Sequence, residues 1–365
     1  MIQTDTGDTN VLLFWLGKDS YDRDCICYAQ IKIDLTHQNK YQFVVQPMKI
    51  KTYHKELEWY EVEFDTRNEL VHIAYLGQDN VFNNQHINYL LMDPSTGNLD
   101  MEKILDILNG IDIDQIQFDL DPYNYPYIVF SKGYDVFLIH YEFDWDNLNI
   151  QLLFKKQKIH SYDPEPEGDG GHHPEIRIDN DIQVNSKLEI GNEYEVDHEY
   201  YDYRYFGWTE KNNRFVHVFI PLVDFNGILT GEIRYLKISM RDQTTFKIVI
   251  DSIIYTSLRS RFLDDYANME VLMDDENRPY LVFRARGGTD RICLIKIDNF
   301  GREIMSETIL SQYYDEYMKD RNHPQITYHY DTDQDKFNIA ISWMEKSYSL
   351  SYHDIYLRRS LEFST

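Results

Sequence analysis

The chain has 365 residues and a hydrophobic content of 42%, enough to bury a substantial core. Its 62 acidic and 36 basic residues give a formal charge of −26, which repels nucleic-acid phosphates and anionic lipid and excludes both as general partners. The aromatic residues are weighted to tyrosine, 30 Tyr and 19 Phe against 5 Trp, which suits positions that pack a ring while its hydroxyl stays wet.

The opening MIQTDTGDTN lacks the basic start and apolar centre of a signal peptide. No later run approaches the roughly 18 apolar residues that a membrane-spanning helix needs. The expectation is a soluble chain with no membrane insertion, placed in the cytoplasm or, if processed, in a virion or outside the cell. Cys25 and Cys27 stand two apart on a presumed strand, so their side chains share a face, and three cysteines make no disulfide framework.

Along the chain one pattern recurs. A polar turn leads into a short apolar run: NVLLFWLGKD, ELVHIAYLGQD, YPYIVFSKGYD, NRFVHVFIPLVD, RPYLVFRARGGTD and DKFNIAISWMEK. Aligned on Trp15, Tyr75, Phe130, Phe219, Phe283 and Ile341, the intervals are 60, 55, 89, 64 and 58 residues. Each run is followed by a second β-like segment, such as ICYAQIKID, INYLLMD or ICLIKID. Leading segments (WYEVEF, DQIQFDL, MEVLM, PQITYHY) and trailing ones (YQFVVQPMKI, LNIQLLF, FKIVIDSIIY) complete the unit. Turns such as DPSTGN, DWDN and DNFG carry hairpin chemistry.

Four antiparallel strands per roughly 40–60 residues is the signature of a propeller blade. The expected fold is therefore all-β: a single β-propeller over residues 1–365 with six four-stranded blades, five or seven being the alternatives. The sixth unit is a strand short, which predicts that Ile2–Thr6 supplies it and joins the ends in a ring closure. The long interval falls in residues 159–200, with 12 acidic and 2 basic residues, read as an acidic insertion or a decayed blade. In MEKILDIL, SRFLDDYANME and SQYYDEYMKD, apolar residues recur at three and four, which gives short helices between blades as a competing reading.

The last unit, HPQITYHYDTDQDKFNIAISWM with DIYLRRSL, resembles the propeller repeats of surface, secreted and phage-associated proteins. That resemblance implies fold and not activity. The stretch DTGDT at residues 5–9 resembles the Asp-box of sialidases, without its leading Ser or Thr and its closing aromatic.

In such a fold the connections from first to second runs, and from one blade to the next, emerge on one face. Its crossovers carry Trp59, Arg259, Arg261, Asp264, Asp265 and Tyr314. Flat rings beside arginines and carboxylates suit a glycan or a polar peptide, and solvated loops with ring packing are the plainer reading. Arg284 and Arg286, two apart at the end of RPYLVFRARGG, share a strand face and form a candidate cationic cluster, or else pair with Asp264, Asp265 or Asp290. Asp331, Asp333 and Asp335 alternate as at the opening of a calcium loop, yet Lys336 stands where that loop needs glycine. No cofactor is expected, with Ca2+ at these aspartates as the alternative. No phosphate loop, nucleophile elbow or zinc-protease motif occurs. The functional expectation is a non-catalytic module that binds a protein or a glycan through its loop face. A sialidase-like glycoside hydrolase and a structural subunit of a larger assembly are the alternatives.

Overall fold

The computed structural model describes residues 2–3, 9–34, 40–52, 57–65, 68–78, 85–108, 113, 115–121, 124–133, 135–144, 149–161, 170–171, 174–178, 215–223, 229–242, 245–256, 269–274, 277–286, 290–298, 300–309, 319–331, 336–347 and 353–362. These residues form six antiparallel sheets, strung along the chain in sequence order. The first holds β1 (Ile2–Gln3), β2 (Thr9–Lys18), β3 (Asp24–Asp34) and β4 (Lys40–Thr52). The second holds β5 (Leu57–Asp65), β6 (Leu70–Gln78), β7 (Gln85–Asp93) and β8 (Asn98–Leu108). The third holds β9 (Ile116–Leu120), β10 (Pro126–Lys132), β11 (Asp135–Asp144) and β12 (Asn149–His160). In the fourth, β13 (Gly170–Gly171) and β14 (Glu175–Ile178) both pair with β15 (Phe215–Val223), followed by β16 (Leu229–Asp242) and β17 (Thr245–Thr256). The fifth is β18 (Met269–Met273), β19 (Pro279–Arg286), β20 (Asp290–Ile297) and β21 (Glu303–Ile309), and the sixth is β22 (Lys319–Asp331), β23 (Lys336–Ser347) and β24 (His353–Glu362).

This is the all-β, blade-by-blade construction of a β-propeller, as the repeat predicts. Every first run is the second strand of its sheet and every second run the third. Two expectations are corrected. Residues Met101–Leu108 lie within strand β8 and not in a helix. Ile104 is 50% exposed on this edge strand, and an apolar residue on the wet face imitates helical spacing. The strand at Ile2–Gln3 pairs with β2, Ile2 opposite Asn10, and so belongs to the first sheet and does not complete the sixth. Pairing so near in sequence closes a far shorter loop than pairing with the far end of the chain would. Among the described residues the sixth sheet has three strands.

The chain divides into two compact units. One comprises Met1–Leu120, Asn124–Tyr127 and His140–Leu152, and the other comprises Asp121–Tyr123, Ile128–Ile139 and Leu153–Thr365. In the first unit Ile26 and Tyr28 of one sheet pack on Val71, Ile73, Tyr75 and Leu90 of the next. In the second, Phe219 and Tyr235 pack on Leu281, Phe283 and Ile295, while Tyr280, Val282 and Leu294 face Ile326, Ile341 and Trp343. Each such side chain contributes about 1.5–3 kcal/mol on burial, whereas an exposed ion pair contributes about 0–1 kcal/mol. The stacked sheets, not the many surface charges, hold the fold.

Because strands pack on both faces, polar residues are trapped between sheets and must be satisfied there. His72 is buried on β6; its Nδ1 shares a hydrogen bond with the Tyr89 hydroxyl and its Nε2 is 3.7 Å from Asp65 Oδ2. His217 Nδ1 shares one with the Tyr235 hydroxyl at 2.8 Å. In the fifth sheet Lys296 Nζ donates to the Tyr280 hydroxyl at 2.7 Å and lies 3.0 Å from Asp274 Oδ2. Cys25 and Cys27 do share a face, with sulfurs 3.5 Å apart, and burial pushes the Cys27 thiol up to about 11.

Turns are closed by aspartate side chains. Asp19 Oδ1 accepts from the backbone N–H of Tyr21 and Arg23, and Oδ2 accepts from Arg23 Nε at 2.8 Å. Asp298 repeats this with Phe300 and Arg302, and Asp274 bonds Arg278 N and Nε in the same way, each at 2.8 Å. In all three the fourth residue has positive φ: Asp22 at 61°, Asn277 at 55° and Gly301 at 77°. At Gly301 a Cβ would stand 2.7 Å from Ser252 Oγ, so glycine serves close packing there as well.

Burial pushes the His72 pKa below its ordinary value of 6.5, outweighing the pull of Asp65. Folded His72 therefore resists protonation while the unfolded chain takes up the proton, and stability falls as pH drops below about 6.5. Urea unfolding at pH 7.5 and 5.5 should show a steeper loss for the parent than for His72→Gln.

Candidate functional site

The leading strands carry the most distinctive side-chain chemistry. On β5, Tyr60, Val62 and Phe64 turn into the core of the first unit, which puts Trp59, Glu61 and Glu63 on the opposite face. Trp59 Nε1 donates to Glu61 Oε1 at 2.7 Å, and Gln117 Nε2 of neighbouring β9 donates to the same oxygen at 3.1 Å. Gln117 is 93% buried, being 7% exposed, so the amide is fixed where it meets the carboxylate. Asp119 lies two residues beyond Gln117 on the same strand, as Glu63 lies beyond Glu61. An indole edge, a carboxylate–amide level (Glu61 with Gln117) and a further acidic level (Glu63 and Asp119) thus line this pair of strands.

The second unit repeats the device with different residues. Arg177 of β14 donates from Nε to Val271 O at 2.7 Å and from Nη1 to Ile176 O at 2.7 Å, while Nη2 binds Glu270 Oε1 on β18. Gln325 of β22 donates to Glu270 Oε2 at 3.2 Å. Glu270 is thereby strapped to a leading strand on either side. Burial raises its pKa above the ordinary glutamate value, against the opposing pull of Arg177 and Gln325.

These positions share a register. Glu61, Gln117 and Glu270 each stand four residues before an aspartate, Asp65, Asp121 and Asp274, that is buried at the turn ending the leading strand. Asp65 Oδ1 accepts from Asn68 N at 3.0 Å and Oδ2 from Asn68 Nδ2 at 2.7 Å. The chain spells this as D-x-x-N in DTRN, DPYN and DDEN, a signal that marks the Glu/Gln/Glu level although composition does not.

Of the residues singled out from sequence, Trp59 belongs to this arrangement. It lies near the start of β5, whose Leu57 N–H donates to Asp24 Oδ2 at 3.1 Å at the start of β3, the end of the first sheet that carries the Asp19–Arg23 turn. Arg284 lies on β19, 9% exposed and on the face of Tyr280 and Val282, so its guanidinium sits within the sheet stack. Arg286 is the last residue of β19, in register with Asp290, and Asp331 ends β22 in register with Lys336. Arg259, Arg261, Asp264, Asp265, Tyr314, Asp333 and Asp335 lie outside the described residues. In the 159–200 region, Glu175–Ile178 forms the fourth sheet's leading strand, and residues 179–214 lie outside the described residues. Among the described residues no group of three or more His, Cys, Asp or Glu could hold a metal ion, and no helix is long and apolar enough to cross a membrane.

The chain matches no protein-family model and no curated protein. Among solved structures it is similar to a protein of unknown function from Dyadobacter fermentans DSM 18053, with 9% identity, coverage of 95% of this chain and 96% of that one, and a TM-score of 0.51. It is also similar to AofleA from Arthrobotrys oligospora, at 8% identity over 99% and 96% of the two chains with a TM-score of 0.47. A PL25 ulvan lyase aligns at 9% identity over 96% and 81%, again with a TM-score of 0.47. The first of these likenesses is one of fold, and fold alone assigns no activity.

The strap makes a direct prediction. Arg177→Met removes one partner of a half-buried pair and should cost about 3 kcal/mol in urea unfolding, while adding Glu270→Gln should restore much of it because the orphaned charge is gone.

Proposed function

We propose that this chain is a glycan-binding β-propeller whose leading strands form the ligand surface. The observation that supports this reading is the Trp59–Glu61–Gln117 constellation, in which one carboxylate oxygen holds both an indole N–H and an amide N–H. A sugar presents two kinds of surface, a C–H face that packs on an aromatic ring and a rim of hydroxyls that both donate and accept. A fixed indole, a carboxylate–amide pair at the next level on two neighbouring strands and acidic groups at the level beyond answer both. The levels are about 6.6 Å apart, two residues along a strand, close to the size of one pyranose ring. A chain of charge −26 would disfavour polyanionic ligands at such a surface.

Hydrolysis is the second reading, and the buried Glu270, whose pKa burial moves upward in the direction a general acid needs, favours it. The two readings part in one assay. Isothermal titration against neutral oligosaccharides should give binding that weakens about tenfold or more in Trp59→Ala, with no new reducing ends released. Release of reducing ends by the parent and its loss in Glu270→Gln would instead establish the hydrolase. Undiminished binding by Trp59→Ala would remove the leading-strand surface from consideration.

A further inference from the structure

Cys25 and Cys27 of β3 stand apart from the leading-strand chemistry. They are 0% and 8% exposed, and their sulfurs are 3.5 Å apart. Two residues along a strand place their backbones about 6.6 Å apart, so the two side chains lean toward each other over one face of the first sheet.

The neighbouring strand leaves room beside these sulfurs. Gly17 of β2 lies directly opposite Cys25. A Cβ on Gly17 would stand 3.2 Å from Cys27 Sγ, 3.7 Å from Cys25 Sγ and 3.7 Å from Trp15 Nε1, so two thiols and an indole edge converge on one point. The backbone does not require this glycine. Its φ is not positive, and the ladder from Thr9 to Lys18 runs opposite β3 without a bulge. A glycine inside a regular strand weakens it, and one common reason for its presence is the close approach of a ligand.

We propose that Cys25 and Cys27 chelate one soft monovalent metal ion of the Cu(I) class, a site independent of the glycan-binding reading. Soft thiolates select such an ion, and two of them suffice for it. Structural zinc takes four ligands, and among the described residues no group of three or more His, Cys, Asp or Glu is gathered. The sulfurs, 3.5 Å apart, need part by only about 1 Å for two metal–sulfur bonds of about 2.3 Å to meet in line. Each bond replaces an S–H, so one Cu(I) and two thiols give the Cu(SR)2 anion and two protons. Burial pushes the Cys27 thiol up to about 11, and its proton therefore leaves as the metal–sulfur bond forms.

The surrounding charge selects the valence. Lys49 of β4 is opposite Cys27, and its ammonium favours the thiolate. Two thiolates, one ammonium and one monovalent cation sum to zero, the balance that a buried site tolerates. Cys27 is flanked by Trp15 on one strand and Lys49 on the other, both exposed, which gives the ion a way in.

The test is anaerobic titration of the reduced full chain with Cu(I) in competition with bicinchoninate, whose copper complex is read by absorbance, with Zn(II) as the comparison ion. The parent should withdraw one Cu(I) per chain, and Cys293→Ser should do the same. Cys25→Ser and Cys27→Ser should each lose the complex. Gly17→Ala keeps both thiols and should bind roughly tenfold more weakly, because its methyl occupies the space beside the sulfurs. A serine at either buried position also threatens the sheet, so X-ray absorption at the copper edge of the loaded parent is the second readout and should show two sulfur neighbours. A parent that takes no Cu(I) from the chelator, binding retained in the Cys25→Ser/Cys27→Ser double variant, a copper shell of nitrogen or oxygen alone, or a preference for Zn(II) overturns the site.

Discussion

The architecture depends on a carboxylate placed where a leading strand stops. Asp65, Asp121 and Asp274 are each buried at the end of such a strand. For Asp65 and Asp274 the buried carboxyl accepts backbone N–H groups of the reversing chain, Asn68 N and Arg278 N, which closes the turn. Deleting such a carboxylate removes the turn's hydrogen bonds, at about 0.5–1.5 kcal/mol for each. The same anchor fixes register. With the turn pinned, the residue four positions earlier falls at one height in each of these strands, and so Glu61 meets Gln117.

Packing on both sheet faces explains the remaining chemistry. A strand covered on both sides reads as a continuous apolar run, and any polar residue within it must find a partner in its own sheet or the next. His72 with Tyr89, His217 with Tyr235 and Lys296 with Tyr280 are three versions of that solution at comparable places in three sheets. They stiffen the sheets that position the leading strands. Two kinds of polar constellation therefore coexist: pairs buried between sheets that serve stability, and chains along the leading strands that retain access to solvent, with Gln325 exposed and Glu270 partly so.

The second and third strands of every sheet were legible in the sequence because each apolar run is followed by its second β segment, at 55–64-residue intervals except for the 89 between the third and fourth. The fourth sheet's leading strand was not, since 36 residues separate EIRI from the strand it pairs with. Strand β8 imitated a helix because Ile104 sits on its wet face. Among the candidate-site residues, Trp59 was legible as an aromatic beside a crossover. Glu61 and Glu270 were hidden among 62 acids, and Gln117 carried no mark of its own, until the turn aspartate supplied a reference point. Arg284 and Arg286 were legible as two arginines on one strand face, but that the side chain of Arg284 is enclosed depends on the neighbouring sheet, which its own run does not encode.

The claim that the leading strands meet a sugar is tested most directly at the indole N–H of Trp59, one of only five in the chain. Its resonance in a 15N-labelled protein, assigned with Trp59→Phe, should shift in a saturable way on titration with a neutral oligosaccharide, because the ligand must pack on the ring or compete for Glu61. A Trp59 resonance that stays in place while another tryptophan moves, or while calorimetry reports binding, would contradict the account.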